Sequence, residues 1–591
     1  MDFTSINALL RWRVERSAQA TAILKRHGGR WVEIPWQQVY DAVRFISQGL
    51  RALGLEKNGR AVILSGTRVE WIYADLAIMG CGGVVVPIFP MSPPQVIEPI
   101  LDQVDARIII AENPTMLDKL PVSVRAKAKP PKIILIEGPA PDNPDILTLS
   151  EVVELGRKQE NGLYEKISSE VSENDLATIV FTSGSTGTQK GVIHAHRQLL
   201  AEQAAIQRAV QLREDETVMM LLPLSHVFGR VIEYLNIGTG FKLAIAESFE
   251  RLTENLSEVR PHVLAAVPRV FEKIYSDTLR DVELRGKATK LALQWCLNIG
   301  EEMSHYLQSR SPAPLVLQGK YQAARRLFFD RFRQPFGSRM KFLVSSGAPL
   351  QKEIGRFFHA SGLPVLEAYG MTELAGAVTM NVLNDFRIGS VGKPLSGVEL
   401  ALSEDGEIKV KSPMTMNGYW GDEQSTAEAL QDGWLLTGDI GEIDAEGFWR
   451  ITDRKKAIII TSGGRAVAPQ NIESHMKSDP FIDQFYVHGD KRNFLTALVV
   501  LDHQNVQQWA KEKGIPSEPW NDLVKRPELV RLIEERIQLK NRDLAPQETI
   551  KNFAILPHSF TVEGGELTTT LKPRRKFIDQ KYRETLDRFY N

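Results

Sequence analysis

The sequence predicts an α/β protein: a large N-terminal domain of two α/β lobes plus a β-barrel-like piece, followed by a smaller α+β C-terminal domain. Three observations carry that expectation. Short apolar, β-branched runs alternate with helix-periodic stretches through the first part of the chain. Near Gly392 the texture changes to short strands separated by Gly, Asp and Asn turns. The chain has 591 residues, more than a single hydrophobic core organises.

In the first lobe the runs AVILS at 61–65, RIIIA at 107–111 and KIILIE at 132–137 are strand candidates, and WQQVYDAVRFISQGLRALG at 36–54 has amphipathic helical spacing. A second block repeats the style. It comprises ATIVFTSGS at 177–185, a helix from about Arg197, then VMMLLPL at 218–224, KLAIA at 242–246 and HVLAAVP at 262–268. Between about Ser276 and Phe336 lies a helical stretch enriched in Lys and Arg, which reads as an insert packed on the large domain with a solvated basic face. Its amphipathic character also leaves contact with a membrane surface open. The segments GVELALSEDGEIKVKS at 397–412 and DIGEIDAEGFWRITD at 439–453 read as antiparallel hairpins. Residues 453–456, Asp-Arg-Lys-Lys, read equally as an exposed turn or as a hinge.

Composition narrows the function classes. A net charge of -1 gives no global reason to bind nucleic acid. Two cysteines, Cys81 and Cys296, exclude a multi-disulfide framework and fit a reducing, cytoplasmic setting. The first twenty residues lack the pattern of a signal peptide, and the apolar runs at 82–89 and 457–461 fall far short of the ~20 residues needed to cross a bilayer. The expectation is a cytoplasmic protein, with peripheral contact at the inner membrane face left open.

The strongest local signal is the stretch Thr182, Ser183, Gly184, Ser185, Thr186, Gly187, Thr188, Gln189, Lys190, which follows a hydrophobic strand. Glycines let backbone amides approach an anion, hydroxyls add hydrogen bonds and Lys190 adds charge, so the loop suits phosphates. It is not a Walker A loop, because Gln189 and Gly191 stand where that motif needs Gly before the lysine and Ser or Thr after it.

This loop resembles the phosphate loop of the adenylate-forming superfamily, which contains acyl-CoA synthetases, luciferases and peptide-synthetase adenylation domains. Further similar motifs fall in the family's order: Ser345 to Leu350 with Gly347, Ala348 and Pro349; Ala368 to Glu373 with Tyr369, Gly370 and Thr372; Trp434 to Asp439; Asp453 to Lys456; and Gly565 to Lys572. The resemblance implies a domain of residues 1–452 that binds ATP and the acyl group, and a mobile domain of 453–591 hinged at 453–454. It implies that Glu373, with Thr182, holds Mg²⁺ through hard oxygen ligands, that Thr372 donates to the α-phosphate, and that Tyr369 offers a face to adenine with Gly347 and Ala348 opposite. Asp439 and Arg454 would bind the ribose, and Lys572 would supply charge between the carboxylate and the α-phosphate. His226, in LPLSHVFGR, matches a position near the acyl channel. Gln189 and Thr569 depart from family prolines, which bears on loop stiffness and not on charge.

VPRVFEKIY at 267–275, the helical insert and SGGRAVAPQNIE at 462–473 are similar to long-chain fatty acyl-CoA synthetases. The implied substrates are a fatty acid, ATP and coenzyme A, with Mg²⁺ as cofactor. In the second half-reaction the small domain would turn, withdrawing Lys572 and presenting the loop of Gly463, Gly464 and Arg465. An acyl-AMP ligase serving a carrier-protein thiol, and a non-catalytic lipid or nucleotide sensor, stand as alternatives; a sensor is expected to lack Glu373 or Lys572. The sequence leaves oligomeric state open.

Overall fold

The computed structural model describes residues 3–125, 129–141, 143–182, 189–283, 287–455, 457–462, 465–568 and 572–590. Two large sheets dominate it. The first has eight strands. A parallel run, Val84–Ile88, Arg60–Leu64, Ile108–Ala111, Lys132–Leu135 and Ile146–Thr148, is extended on one side by Leu176–Thr182, Lys190–Ala195 and Gly418–Tyr419. The second has nine, with Thr217–Met220, Lys242–Ile245, Val263–Ala266, Phe342–Ser346 and Val365–Met371 in parallel at its centre.

The strand candidates of the sequence appear close to their expected positions, but one assignment changes. The strand Leu176–Thr182, expected to open the second lobe, pairs in parallel with Val84–Ile88 and so belongs to the first sheet. Conversely, the hairpin Thr21–His27 with Arg30–Pro35 adds to the edge of the second sheet beside Lys242–Ile245. Strand partners are chosen by side-chain fit across long loops, which local periodicity does not encode.

The helices Val69–Gly80 and Val227–Thr239 are buried along most of their length. The first packs on the strands of the first sheet, the second on strands of the other, and Ile6–Ser17 touches both helices. One apolar cluster therefore spans both sheets through a shared helical layer. Separate clusters fill the outer faces, one under the insert helices Lys287–Ser309 and Leu315–Ala324. Several polar groups in the shared layer bond one another: Arg230 reaches Asp75 at 2.7 Å and Thr178 at 2.7 Å, and Tyr234 donates to Asp75 at 2.9 Å.

From Glu399 the chain forms a five-stranded antiparallel sheet that includes Trp434–Ile443 and Trp449–Arg454. Beyond it, a three-stranded sheet of Ile482–His488, Leu495–Leu501 and Ile550–Leu556 packs with the helices Pro469–Met476, His503–Glu512 and Pro527–Asn541 around its own apolar core.

Candidate active site

The expected site residues come from strand ends and the turns that follow them, where backbone groups run out of ladder partners and side chains face the space between elements. Tyr369 lies near the end of Val365–Met371. The next residue, Gly370, has no room for a side chain: a Cβ there would stand 1.7 Å from the carbonyl oxygen of Gly376 in the returning strand. The close hairpin places Thr372 and Glu373 in a 3₁₀ turn, both mostly buried.

Asp439 and Arg454 face each other across the pair Trp434–Ile443 and Trp449–Arg454. Arg454 Nε donates to Asp439 Oδ1 at 2.9 Å, and Tyr369 Oη donates to Oδ2 at 2.8 Å. Each carboxylate oxygen keeps acceptor capacity beyond these bonds. Arg454 and Asp453 are the last residues of their strand. Asp453 is buried, which pushes its carboxyl up to about 6, against the pull of the Arg454 backbone amide and Arg575. The following residue, Lys455, is bound to Glu407 at 2.9 Å and to Asp405.

Lys572 is paired with Thr568: Thr568 N donates to the Lys572 carbonyl at 2.8 Å, and Lys572 N donates to Thr568 Oγ1 at 3.0 Å. The residue keeps an exposed surface while protein crowds its ammonium. That loss of water, and then the charge of Arg454, lowers its ammonium to about 8, with Asp439 and Glu373 pulling the other way. Lys572 thus shares one electrostatic neighbourhood with Asp439, Arg454 and Glu373. His226 belongs to it too: burial, then Lys572, lowers its imidazole to about 4. The neutral ring accepts from Phe228 N at 3.3 Å, capping the helix Val227–Thr239.

Lys190 begins the strand Lys190–Ala195; its Nζ donates to Ser425 at 2.6 Å and lies 4.9 Å from the Tyr419 ring centre. Thr182 ends the partner strand. Gly347, Ala348 and Pro349 are exposed just past Phe342–Ser346, and Gly347 takes a φ of +91°, which glycine adopts freely. Ser183, Gly184, Ser185, Thr186 and Gly187 lie outside the described residues, as do Gly463 and Gly464.

The donor set suits a hard divalent cation. Glu373 is a buried carboxylate that accepts from Tyr419 Oη at 2.9 Å, and burial raises its pKa, so a cation would favour its ionised form. Among the described residues no cluster of three or more His, Cys, Asp or Glu could hold a metal alone. One carboxylate beside hydroxyls fits Mg²⁺, which usually takes its other ligands from phosphates and water. Sequence reasoning missed three neighbours: Tyr419, His194, whose Nε2 donates to the Thr372 carbonyl at 2.7 Å, and Glu202, which accepts from Ala377 N at 2.6 Å. The aromatic pair Tyr419–Trp420, set between Gly418 and Gly421, was the one local signal for the first. The other two have none.

Residues 10–420 match the AMP-binding enzyme family and residues 456–591 its C-terminal domain. The long-chain-fatty-acid–CoA ligase FadD15 of Mycobacterium bovis is 33% identical over 569 residues, covering 95% of this chain and 93% of its own. The human long-chain-fatty-acid–CoA ligase ACSBG2 is 28% identical, covering 99% and 92%. Among solved structures, the anthranilate–CoA ligase AuaEII in complex with anthranoyl-AMP superposes with a TM-score of 0.75 at 20% identity over 99% of both chains. The adenylation domain of a carboxylate reductase from Mycobacterium chelonae reaches 0.78 at 20% identity, covering 99% and 91%.

Proposed function

This chain belongs to the AMP-binding enzyme family, and from that premise we propose that it is an ATP-dependent long-chain fatty acid–CoA ligase working through an acyl-adenylate. The observation that carries the reading is the convergence of Lys572, Arg454, Asp439, Glu373 and Tyr369, from strands and turns far apart in sequence, in one electrostatic and hydrogen-bonded neighbourhood. The two relatives above, both named long-chain-fatty-acid–CoA ligases, supply the substrate class.

In the first step a carboxylate oxygen of the fatty acid attacks the α-phosphorus of ATP, the bond from that phosphorus to the bridging oxygen breaks, and pyrophosphate leaves. Asp439 and Arg454 fix the ribose, Tyr369 and the exposed Gly347 and Ala348 flank the adenine, and Thr372 donates to the α-phosphate. Lys572 neutralises the charge gathering between nucleophile and phosphorus. Lys190, Thr182 and the loop from Ser183 to Gly187 hold the leaving phosphates. Mg²⁺, held by Glu373 with Thr182, would supply charge neutralisation on the phosphates when bound. In the second step the CoA sulfur attacks the acyl carbonyl, the bond from that carbon to the phosphate oxygen breaks, AMP leaves, and the thiol proton passes to solvent. His226 is neutral and capped against its helix, so its part is to shape the acyl side of the site.

The domain boundary falls at 453–454. Rotation there requires Lys455 to release Glu407 and Asp405, and the bond from Asn471 Nδ2 to the Thr452 carbonyl, 3.0 Å, to break. These contacts are polar and water can replace them, which favours a reorientable joint.

Pyrophosphate release on mixing the enzyme with ATP, Mg²⁺ and fatty acids of graded length tests the reading. Release with long-chain acids, and acyl-CoA only when CoA is added, is expected; release with no acid, or turnover blind to CoA, contradicts it. The pH profile is a second check. Because Lys572 is lowered to about 8, kcat/KM for ATP in adenylate formation should fall as pH rises through that value and the ammonium loses its proton. A flat profile to pH about 10 would mean that this charge is not used.

No helix among the described residues is long and apolar enough to cross a membrane. Peripheral contact at the inner membrane face is the location we propose, through the helical insert. Residues 287–336 carry eight Lys or Arg against three Asp or Glu, and Leu315 and Val316 on Leu315–Ala324 are 83% and 71% exposed, with Leu327 exposed one helical face further on. Apolar side chains among basic ones suit an anionic bilayer, where the fatty acid resides. The variant Leu315→Glu/Val316→Glu/Leu327→Glu should lose flotation with anionic vesicles while keeping activity on detergent-solubilised acid; unchanged flotation refutes the contact.

A further inference from the structure

The turn that carries Thr372 and Glu373 is tied to the body of the molecule from behind. His194 Nε2 donates to the Thr372 carbonyl at 2.7 Å, Ala377 N donates to Glu202 Oε1 at 2.6 Å, and Met416 N donates to the Glu373 carbonyl at 2.8 Å. Gly376 makes the second tie feasible, since a Cβ there would stand 2.3 Å from Glu202 Oε1. His194 and Glu202 are almost completely buried, as is Arg230.

Each of these three side chains has one polar atom still to satisfy. His194 Nδ1, Glu202 Oε2 and Arg230 Nε find no hydrogen-bond partner among the described residues. All three residues line one small cavity, with Thr178, Val231 and Ala375. Its free volume is about 10 Å³, the low end of what one water molecule requires. Buried polar atoms left unpaired cost about 1–3 kcal/mol each, so three around one cavity call for an occupant.

The bonding pattern specifies that occupant. Because His194 Nε2 faces a carbonyl it carries the hydrogen, which leaves Nδ1 as an acceptor. Burial lowers this imidazole to about 4, so the ring is neutral. Burial raises Glu202 well above the ordinary carboxyl range, which favours its protonated form, and with Oε1 accepting from Ala377 the atom left to carry a proton is Oε2. Arg230 directs Nη1 to Thr178 and Nη2 to Asp75, leaving Nε–H as a donor. The cavity therefore offers two donors and one acceptor. Water accepts twice and donates once to match them. A cation is opposed by Arg230, and an apolar group would leave all three atoms unsatisfied.

We infer that one internal water molecule, bonded to His194, Glu202 and Arg230, locks the Thr372–Glu373 turn to the buried core, and that Glu202 is a positioning residue for the nucleotide-facing side of that turn. The inference rests on the reading of Thr372 and Glu373 given above. Glu202 touches no substrate; it acts by fixing where those two residues stand before ATP arrives.

Two arms test it. A high-resolution crystal structure of the full chain should contain an ordered water within hydrogen-bond distance of all three atoms; a dry cavity, or another occupant, overturns the proposal. This arm needs no turnover, so its result stands apart from the fate of the assigned activity. In the kinetic arm, Glu202→Gln keeps the acceptor for Ala377 and a donor toward the water. It should hold KM for ATP within about twofold of wild type, whereas Glu202→Leu should raise it about tenfold, the loss of roughly one buried hydrogen bond, with KM for the fatty acid unmoved. If Glu202→Gln is as impaired as the leucine variant, the negative charge and not the hydrogen bonding matters, and the proposal fails. If Glu202→Leu does not fold, the glutamine variant and the crystal structure still decide.

Discussion

Lys572→Ala is expected to slow acyl-adenylate formation by about 10²-fold or more while leaving thioester formation from preformed acyl-AMP within a few-fold of wild type. The ammonium lies near Asp439, Arg454, Glu373 and His226, on a residue that keeps part of its surface exposed. Attack of a carboxylate on a polyphosphate brings like charges together, so a cation positioned between them stabilises the transition state more than the ground state. Thioester formation has no such encounter. Because Lys572 keeps part of its surface exposed and its ammonium is disfavoured by the protein around it, the substitution should leave thermal stability nearly unchanged, which makes the kinetic split interpretable. Stopped assays of pyrophosphate release and of acyl-CoA from synthetic acyl-AMP measure the two steps separately. Equal losses in both would show that Lys572 serves binding in general or the fold.

Asp439→Asn is expected to lower kcat/KM for ATP by about 10²-fold, with KM for the fatty acid little affected. The carboxylate receives Tyr369 Oη and Arg454 Nε at 2.8 and 2.9 Å, and its remaining acceptor positions are those proposed for the ribose hydroxyls. Hydrogen bonds to a charged group are worth about 1.5–3 kcal/mol each, so weakening two accounts for that loss. Asparagine also removes the counter-charge of Arg454, whose side chain is 47% exposed, so the melting temperature should fall only slightly. The two effects are separable: high ATP concentration restores rate but not the unliganded melting temperature. An unchanged KM for ATP would place the ribose elsewhere.

How much of this was legible in the sequence follows from what each residue needs to be recognised. Strands such as Ile108–Ala111 and Lys132–Leu135 announce themselves by unbroken apolar runs because both faces of a parallel sheet are covered. Asp439, Glu373 and Lys572 could be nominated because the motifs that carry them resemble a family's and fall in its order along the chain. Sheet membership was not legible: nothing local in residues 176–182 says that they lie beside Val84–Ile88. Glu202 shows the limit most clearly. In the helix His196–Val210 its neighbours three and four residues away are Gln198, Leu199, Ala205 and Ile206, none of which names a partner for it, yet it is 1% exposed and bonded to the hairpin behind the site. His194 reads as an ordinary strand residue for the same reason. Partners of this kind are set by tertiary approach, as at Gly376, where the lack of a side chain matters only once Glu202 is known to be adjacent.

The central claim is that the protein forms no covalent bond to the substrate and that fixed charge lets the fatty carboxylate itself attack the α-phosphorus. Oxygen-18 transfer tests it most directly. A fatty acid labelled in both carboxyl oxygens, turned over with ATP and CoA, should leave one labelled oxygen in AMP and none in pyrophosphate. The second labelled oxygen released as water, or recovered in pyrophosphate, with none in AMP, would contradict the account.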